Sequence, residues 1–191
     1  CNSSTCCSIV SVSFAAFRPE TVLHAAASYR DADDFADHAA TNVLGSAIVA
    51  DACRRSRVGR LVYLQTSLCY AQVGAVGPFT TRRRLGPRGS YAVTKTAGEA
   101  YSLAVPGAVS LRLANLYGPR NLSGPVPAFW RNLRAGKPCV VARTRRDMVY
   151  IGDAAPLIAE IVAGRGDPGV YHIASGRSEP IRDVCAAVAA T

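Results

Sequence analysis

Short apolar runs alternate with longer helical patterns through the first half of this chain. Apolar runs at 21–24, 61–64 and 109–113 have the length of buried strands, and helical patterns at 33–56 and 90–103 separate them. Strands joined by helices favour a parallel sheet that carries helices on both faces. Such sheets bind ligands beyond the carboxyl ends of their strands, so the residues that follow each strand are the first candidates for function.

The second half of the chain predicts shorter and less regular elements. It contains no internal repeat and no low-complexity linker. The predicted elements, in order, are a helix at 124–136, strands at 140–141 and 148–151, a helix at 153–163, a strand at 170–173 and a helix from 179 onwards.

Composition excludes several classes of protein. Hydrophobic residues make up 49% of the 191 residues and charged residues 18%, which excludes intrinsic disorder. No apolar run approaches the ~20 residues of a membrane helix, and the start of the chain lacks the basic segment of a secretory signal. The seven cysteines form no CxxC pair and the three histidines show no zinc spacing. We therefore expect no metal site, no membrane partner and reduced thiols in a cytoplasmic protein.

The net charge of +9 is concentrated in the middle of the chain. A basic middle suits an anionic partner, either a nucleic acid or a phosphorylated small molecule, although an arginine-rich coding bias explains it equally well. Arginines cluster at 54–60 and 82–84, but no aromatic residues interleave with them and no known nucleic-acid-binding motif is present. We therefore expect no nucleic-acid partner, and a basic nucleic-acid-binding module is kept only as an alternative.

A GxGxxG pattern at 164–169 has the letters of a dinucleotide-binding turn but the wrong context. That turn follows a strand and opens a helix, whereas this one follows a predicted helix and precedes a predicted strand. Pro168 also lacks the backbone N–H that a phosphate would need. The pattern therefore predicts an ordinary loop.

The strongest chemical motif is YxxxK, formed by Tyr91 and Lys95 in the predicted helix at 90–103. Residues four apart lie on one face of a helix, so the phenol and the ammonium can converge. A nearby ammonium favours the phenolate and lowers the pKa of the phenol, which can then exchange a proton with a substrate hydroxyl. Alone, this motif is common and weak.

Two hydroxyl residues, Thr66 and Ser67, follow the predicted strand at 61–64. A hydroxyl at that position can donate a hydrogen bond to the substrate oxygen on which Tyr91 acts, although Ser and Thr also commonly cap strand ends. The order of strand, hydroxyl, loop and YxxxK helix is the one that this chemistry requires.

Six blocks of the sequence together resemble the extended short-chain dehydrogenase/reductases, in particular nucleotide-sugar epimerases and dehydratases such as UDP-glucose 4-epimerase. The resemblance implies an enzyme with an NAD-binding, Rossmann-like, doubly wound parallel sheet that lacks its first βαβ unit, plus part of a small mixed α/β substrate domain. It places a partial dinucleotide-binding domain at 1–118 and a partial substrate-binding region, with elements that return to the sheet, at 119–191. The blocks are VLHAAA (22–27), NVLGS (42–46), RLVYLQTSLCYA (60–71), SYAVTKTAGE (90–99), SLRLANLYGPR (110–120) and TRRDMVYIGD (144–153).

The resemblance also implies a role for each matching residue. Tyr91 would be the catalytic acid and base, Thr66 would hold the sugar oxygen, and Lys95 would lower the pKa of Tyr91 and bind the nicotinamide ribose. The other implied residues are Ala25, Ala26 and Ala27 along the dinucleotide, Asn42 as a support beside the cofactor, and Ser67, Asn115 and Arg146 on a nucleotide-diphosphate sugar. NAD is the implied cofactor, with NADP left open, and a homodimer through the helices at 33–56 and 90–103 is implied as well.

The residues after Thr66 bear on the reaction. Family members that are 4,6-dehydratases carry Asp-Glu there as acid and base, whereas this chain has Ser67 and Leu68. Leu68 cannot move a proton, so a 4-epimerase that works through a transient keto-sugar is the preferred prediction. A dehydratase, a reductase and a non-catalytic remnant stay open, and the sequence identifies neither the sugar nor the nucleotide.

The sequence departs from the family's pattern at its start. It contains no glycine-rich turn for the pyrophosphate of NAD, and residues 1–14 do not resemble the family. We therefore expect this chain by itself to bind NAD weakly or not at all and to show no turnover. Tight binding of NAD in calorimetry would contradict this expectation.

Overall fold

The computed structural model describes residues 10, 12–29, 33–71 and 77–191 of the chain. These residues form a mixed α/β structure that divides into two compact units. The first unit comprises Cys1–Arg112 and Ile158–His172, and the second comprises Leu113–Leu157 and Ile173–Thr191. Within the described ranges, no helix is long and apolar enough to cross a membrane.

A four-stranded parallel sheet organises the first unit, as the alternation of strands and helices predicts. Strand β1 pairs in parallel with β2, and Thr21 lies opposite Arg60 in the register. The strand order is β1-β2-β3-β7, so the chain crosses over between neighbouring parallel strands. The strands are β1 (Thr21–His24), β2 (Arg60–Thr66), β3 (Val109–Leu113) and β7 (Gly169–Ile173).

The helix predicted at 33–56 is present but not uniform. It consists of α1 (Phe35–His38), a π-helical segment (Ala39–Leu44) and α2 (Gly45–Arg55). The Gly45 N–H bonds the carbonyl of Ala40, five residues back, which is the wider π-type turn. Such insertions are frequent at functional sites, and this one contains a completely buried polar residue, Asn42.

The predicted YxxxK helix is confirmed as α3 (Ser90–Leu103). One face of α3 packs against β2, whose Leu61, Val62 and Tyr63 are completely buried. The same helix also packs against α2 at Gly98. A Cβ atom at that glycine would lie closer than 3.0 Å to the Asn42 carbonyl, the Tyr63 hydroxyl and the Ser46 hydroxyl.

The second unit contains two small strand pairs and two packed helices. Strand β4 pairs in parallel with β6, β5 pairs antiparallel with β8, and helix α4 packs against α6. The elements are β4 (Asn115–Tyr117), α4 (Pro125–Arg134), β5 (Arg145–Arg146), β6 (Met148–Tyr150), β8 (Glu179–Pro180) and α6 (Ile181–Ala189).

Several predicted boundaries change in the structure. The strand predicted at 140–141 is wrong, because Val140 is 90% exposed in an irregular segment and two apolar residues without a partner strand form no ladder. Helix α5 (Ile151–Val162) begins two residues before its prediction, and the last helix begins at Ile181 rather than 179.

The GxGxxG pattern is the helix-to-strand loop that the sequence predicts, since it joins α5 to β7. Arg60, the first residue of β2, donates hydrogen bonds to the carbonyls of Ile161, Arg165 and Gly166 at 3.3, 3.0 and 2.9 Å. These bonds satisfy carbonyl groups that the end of a helix leaves free.

The contact at Gly98 predicts a strong effect of one added methyl group. We expect Gly98→Ala to lower the free energy of unfolding by roughly 1–3 kcal/mol or more, because backbone and buried hydroxyl atoms would have to move. Urea denaturation measures this change. The matched control is Gly45→Ala, also in a helix, where the nearest atom to an added Cβ is 3.7 Å away. The control should keep or raise stability, and equal stability of both variants would contradict the packing described.

Candidate active site

Thr66 ends β2 and caps the short 3-10 turn Ser67–Cys69. Its hydroxyl oxygen accepts a hydrogen bond from the Leu68 N–H at 3.2 Å, and its own N–H donates to the Gln65 side-chain oxygen at 2.7 Å. The Thr66 hydroxyl oxygen is therefore held in place as an acceptor, while its hydrogen can still be donated to a substrate oxygen. The capping role and the predicted substrate role are compatible.

Two buried side chains of β2 hold the YxxxK helix at Lys95. The Tyr63 hydroxyl and the Gln65 amide each donate a hydrogen bond to the Lys95 carbonyl at 3.1 Å. Because Gln65 also fixes the Thr66 backbone, one side chain connects the strand end to the helix. The structure thus brings together the elements that carry Thr66, Tyr91 and Lys95, as the motif order predicts.

The Lys95 side chain is almost completely buried, with 1% of its surface exposed. Its ammonium lies 4.0 Å from the centre of the Tyr63 ring, over the ring face. Burial lowers the pKa of Lys95 to about 8, although the carboxylate of Glu99 opposes this change. Among the described residues no acceptor atom takes a hydrogen bond from this ammonium, so its donors remain available for a ligand hydroxyl.

The pKa of Tyr91 moves in the direction opposite to the prediction. Burial raises the pKa of this phenol above its usual value of 10.0, and the neighbouring Tyr29 phenol raises it further. Desolvation of the phenolate is the largest influence on this pKa, and Lys95 is not among the groups that shift it in this structure. The role of Lys95 in lowering the pKa of Tyr91 stays a prediction.

Asn42 anchors the segment that follows β1. Its side-chain oxygen accepts from the Ser28 N–H at 2.8 Å, and its amide donates to the Ser28 carbonyl at 2.9 Å and to the Thr94 hydroxyl at 3.1 Å. The predicted cofactor segment, Ala25 to Ala27, lies between β1 and this anchor. Its side chains are single methyl groups, so the backbone can be approached closely by an extended ligand such as a dinucleotide.

The two predicted substrate residues of the second unit lie near one another in its small strands. The Asn115 backbone N–H and side-chain amide both donate to the Asp147 carbonyl, at 3.0 and 3.1 Å. Arg146 precedes Asp147 and uses one guanidinium nitrogen on the Arg145 carbonyl at 3.0 Å. The Asp147 carboxylate accepts hydrogen bonds from the N–H groups of Ser175 and Gly176, which connects this strand end to the loop after β7.

Sequence reasoning missed two buried histidines of the first unit. The His24 Nε2 lies 2.9 Å from the Ser46 hydroxyl, and burial, followed by the charge of Lys95, lowers the pKa of His24 to about 4. His38 Nδ1 lies 3.0 Å from the Ser90 hydroxyl at the start of α3, while its Nε2 is buried without a partner among the described atoms. The position of His24 at the end of a predicted strand was a sequence signal that could have marked it as a site residue. No sequence signal marked His38.

A buried ion pair joins α3 to β3. Arg112 donates two parallel hydrogen bonds to the Glu99 carboxylate, at 2.9 and 3.0 Å, and a third to the Tyr70 hydroxyl at 2.7 Å. The Tyr70 oxygen lies 2.6 Å from His172 Nε2. Arg112 interrupts the apolar sequence of β3. Its ion pair with Glu99 explains how a charged residue can be buried at this position.

The comparisons with known proteins identify the family. Residues 8–174 match the NAD-dependent epimerase/dehydratase family, so the chain belongs to it. The predicted membership, the α/β fold and the NAD dependence of the family are thereby confirmed. The relatives in this family include epimerases and dehydratases, which are enzymes.

Individual relatives match most of this chain but only part of their own length. A dTDP-glucose 4,6-dehydratase of Actinoplanes sp. is 30% identical over 83% of this chain and 53% of the relative. A UDP-glucose 4-epimerase of Mycolicibacterium smegmatis is 26% identical over 92% of this chain and 61% of the relative. The crystal structure of the Bordetella bronchiseptica enzyme WbmG with NAD and UDP is 39% identical and has a TM-score of 0.86. That match covers 95% of this chain and 59% of WbmG. The chain thus spans between half and two thirds of these relatives.

The buried ammonium predicts that removing it stabilises the fold. The pKa of Lys95 falls from 10.5 to about 8 on folding, so the folded protein binds fewer protons between these pH values and stability rises with pH there. The loss of stability that the buried Lys95 ammonium causes is fully present below pH 8 and disappears above pH 10.5. We expect Lys95→Met to raise the free energy of unfolding at pH 7 by about 2 kcal/mol, after allowing for the lost ring contact.

Urea denaturation at pH 7 and again above pH 10.5 checks this expectation. The gain should shrink towards zero at the higher pH. A Lys137→Met variant, which removes an exposed lysine, is the control and should change little at either pH. If Lys95→Met is less stable than the parent at pH 7, the charged state described here is wrong.

Proposed function

We propose that this protein is an NAD-dependent nucleotide-sugar epimerase of the 4-epimerase type. The observation that carries the proposal is a hydroxyl residue, Thr66, at the end of β2, with the Tyr91–Lys95 motif on the helix that packs against that strand. These groups suffice to remove and return one proton at a sugar hydroxyl, which is the proton chemistry that inversion through a keto-sugar needs.

NAD, when bound, would supply a hydride acceptor and one positive charge. The residues that would hold it are the Ala25–Ala27 backbone, which Asn42 supports, and the Lys95 ammonium, which donates to no acceptor within the described part of the chain. The Thr66 hydroxyl would donate to the sugar oxygen and hold it beside the Tyr91 phenol. Tyr91 would accept the hydroxyl proton as the keto-sugar forms and give it back when the keto group is reduced.

The raised pKa of Tyr91 bears on this cycle. At neutral pH the phenol is protonated, which suits the half-reaction in which it donates a proton to the keto oxygen. In the other half-reaction the phenol has to accept a proton, so its pKa has to fall when ligands bind. Added positive charge is the physical means by which a phenol pKa falls in a buried site.

The residues after Thr66 favour epimerisation over dehydration. Removing water from a sugar requires an acid and a base beyond the YxxxK tyrosine, and Ser67 and Leu68 stand directly after Thr66 in this chain. The Leu68 side chain is partly exposed and apolar, so it transfers no proton. A reductase uses the same three groups as an epimerase and is the second candidate.

The proposed substrate is a nucleotide-diphosphate sugar. WbmG was solved with UDP, and a UDP-glucose 4-epimerase is among the relatives. Arg146 and Asn115 are the proposed contacts of the second unit, because a guanidinium can bind a diphosphate through two parallel hydrogen bonds.

Product analysis tests the proposal. Because this chain contains no glycine-rich turn and is expected by itself to show no turnover, the test uses a longer version that also carries a glycine-rich βαβ unit. That version is incubated with UDP-glucose and NAD, and the products are resolved by NMR. We expect UDP-galactose. A 4-keto-6-deoxy sugar would indicate a dehydratase. A second incubation supplies NADH and a nucleotide-linked keto-sugar, and net oxidation of NADH there without epimerisation of UDP-glucose would indicate a reductase.

The role of Tyr91 is tested with a matched pair of variants on α3. Tyr91→Phe should reduce the rate by at least about a hundredfold, because the general acid and base is removed. Tyr101→Phe changes a half-exposed tyrosine of the same helix and should leave the rate unchanged. Equal rates for the two variants would contradict the proposed catalytic group.

A further inference from the structure

Tyr29 is an aromatic neighbour of Tyr91 to which neither the motifs nor the family comparison assigns a role. The two rings meet edge to face, with centroids 6.3 Å apart and an interplanar angle of 69°. Tyr29 follows the Ala25–Ala27 segment in the chain, so it comes from the carboxyl end of β1, whereas Tyr91 comes from α3. Two phenols from different elements therefore meet at one end of the parallel sheet.

The position of Tyr29 is held by hydrogen bonds rather than left to a free loop. The residue before it, Ser28, is bound through both its N–H and its carbonyl by the completely buried Asn42. The same Asn42 amide also donates to Thr94, three residues after Tyr91. One side chain thus ties the backbone beside Tyr29 to the helix that carries Tyr91, which fixes the spacing of the two phenols.

Exposure distinguishes Tyr29 from the other aromatic neighbour of Tyr91. His38 also meets the Tyr91 ring edge to face, at 6.3 Å, but it is completely buried. Tyr29 remains 43% exposed although it contacts the partly buried Tyr91. Tyr29 therefore presents both a ring surface and a hydroxyl to a ligand group that lies beside Tyr91.

The electrostatics of Tyr91 agree with this contact. After burial, the Tyr29 phenol is the second cause that raises the pKa of Tyr91.

We propose that Tyr29 is a further substrate-binding residue, whose ring packs against the hexose on which Tyr91 acts and whose hydroxyl bonds one of its hydroxyl groups. The inference rests on the proposed function and adds a sugar contact to it. A phenol suits this role because it offers an apolar face to sugar C–H groups and a donor and acceptor at its tip. With this contact, a residue of the first unit contributes to the sugar specificity of the proposed site.

Tyrosine NMR on the protein labelled with ¹³Cζ-tyrosine tests the inference. The signals of Tyr29, Tyr91 and Tyr101 are assigned by their loss in the corresponding Tyr→Phe variants. The version that also carries a glycine-rich βαβ unit is titrated first with NAD and then, at constant NAD, with UDP-glucose. We expect the Tyr29 and Tyr91 signals to shift together with UDP-glucose and to give one common Kd, while the half-exposed Tyr101 signal stays constant.

Each other outcome of this titration overturns a defined statement. A shift of Tyr91 without Tyr29 overturns the inference and leaves the proposed function intact. Shifts of both that are complete with NAD alone make Tyr29 a cofactor contact, which also overturns it. If UDP-glucose shifts neither signal, the proposed function and the inference fail together.

Binding to a variant separates a sugar contact from a structural role. Tyr29→Phe keeps the ring that packs on Tyr91, so the fold should be preserved, and thermal unfolding checks this. We expect its Kd for UDP-glucose to rise about tenfold, as for one lost hydrogen bond, while its Kd for UDP, which has no hexose, stays unchanged. Equal weakening for both ligands would show a structural role, and no weakening for UDP-glucose would exclude the hydroxyl contact.

Discussion

The close approach of helix α3 to strand β2 is the constraint on which the site depends. Tyr63 and Gln65 of β2 bind the Lys95 carbonyl, and Gly98 lets the helix come near enough for these bonds to form. That approach forces the Lys95 ammonium out of water and over the Tyr63 ring. The lowered pKa values of Lys95 and His24 follow from this packing, because burial is the largest influence on both pKa values.

The site concentrates polar groups that a fold selected for stability alone would avoid. The first unit buries the Lys95 ammonium, the neutral His24 and the Nε2 of His38, which has no hydrogen-bond partner among the described atoms. Buried polar groups without full compensation are destabilising, and they commonly mark positions that are kept for chemistry. Elsewhere in the first unit the buried ion pair of Glu99 and Arg112 has every charge matched, so it serves as a structural joint between α3 and β3.

The local sequence pattern predicted the bounds of those strands and helices that depend only on neighbouring residues. The strand at 21–24 and the helix at 90–103 have the predicted bounds, because a short apolar run and a helical period of residues are local features. The strand at 140–141 failed because two apolar residues do not indicate whether a partner strand is present. The π-helical segment was also missed, since the period of the sequence does not distinguish it from the α-helix on either side.

The sequence by itself determined the family, the parallel α/β fold and the order of the Thr66, Tyr91 and Lys95 motif, because blocks of residue types along the chain carry that information. Only the tertiary structure decided the direction of the Tyr91 pKa and the placement of Tyr29 beside that phenol. The physical reason is that desolvation and ring contacts depend on which atoms surround a group. Those atoms come from residues far away in the sequence, such as Tyr29 and Tyr91, which are 62 positions apart, and no local spacing encodes them.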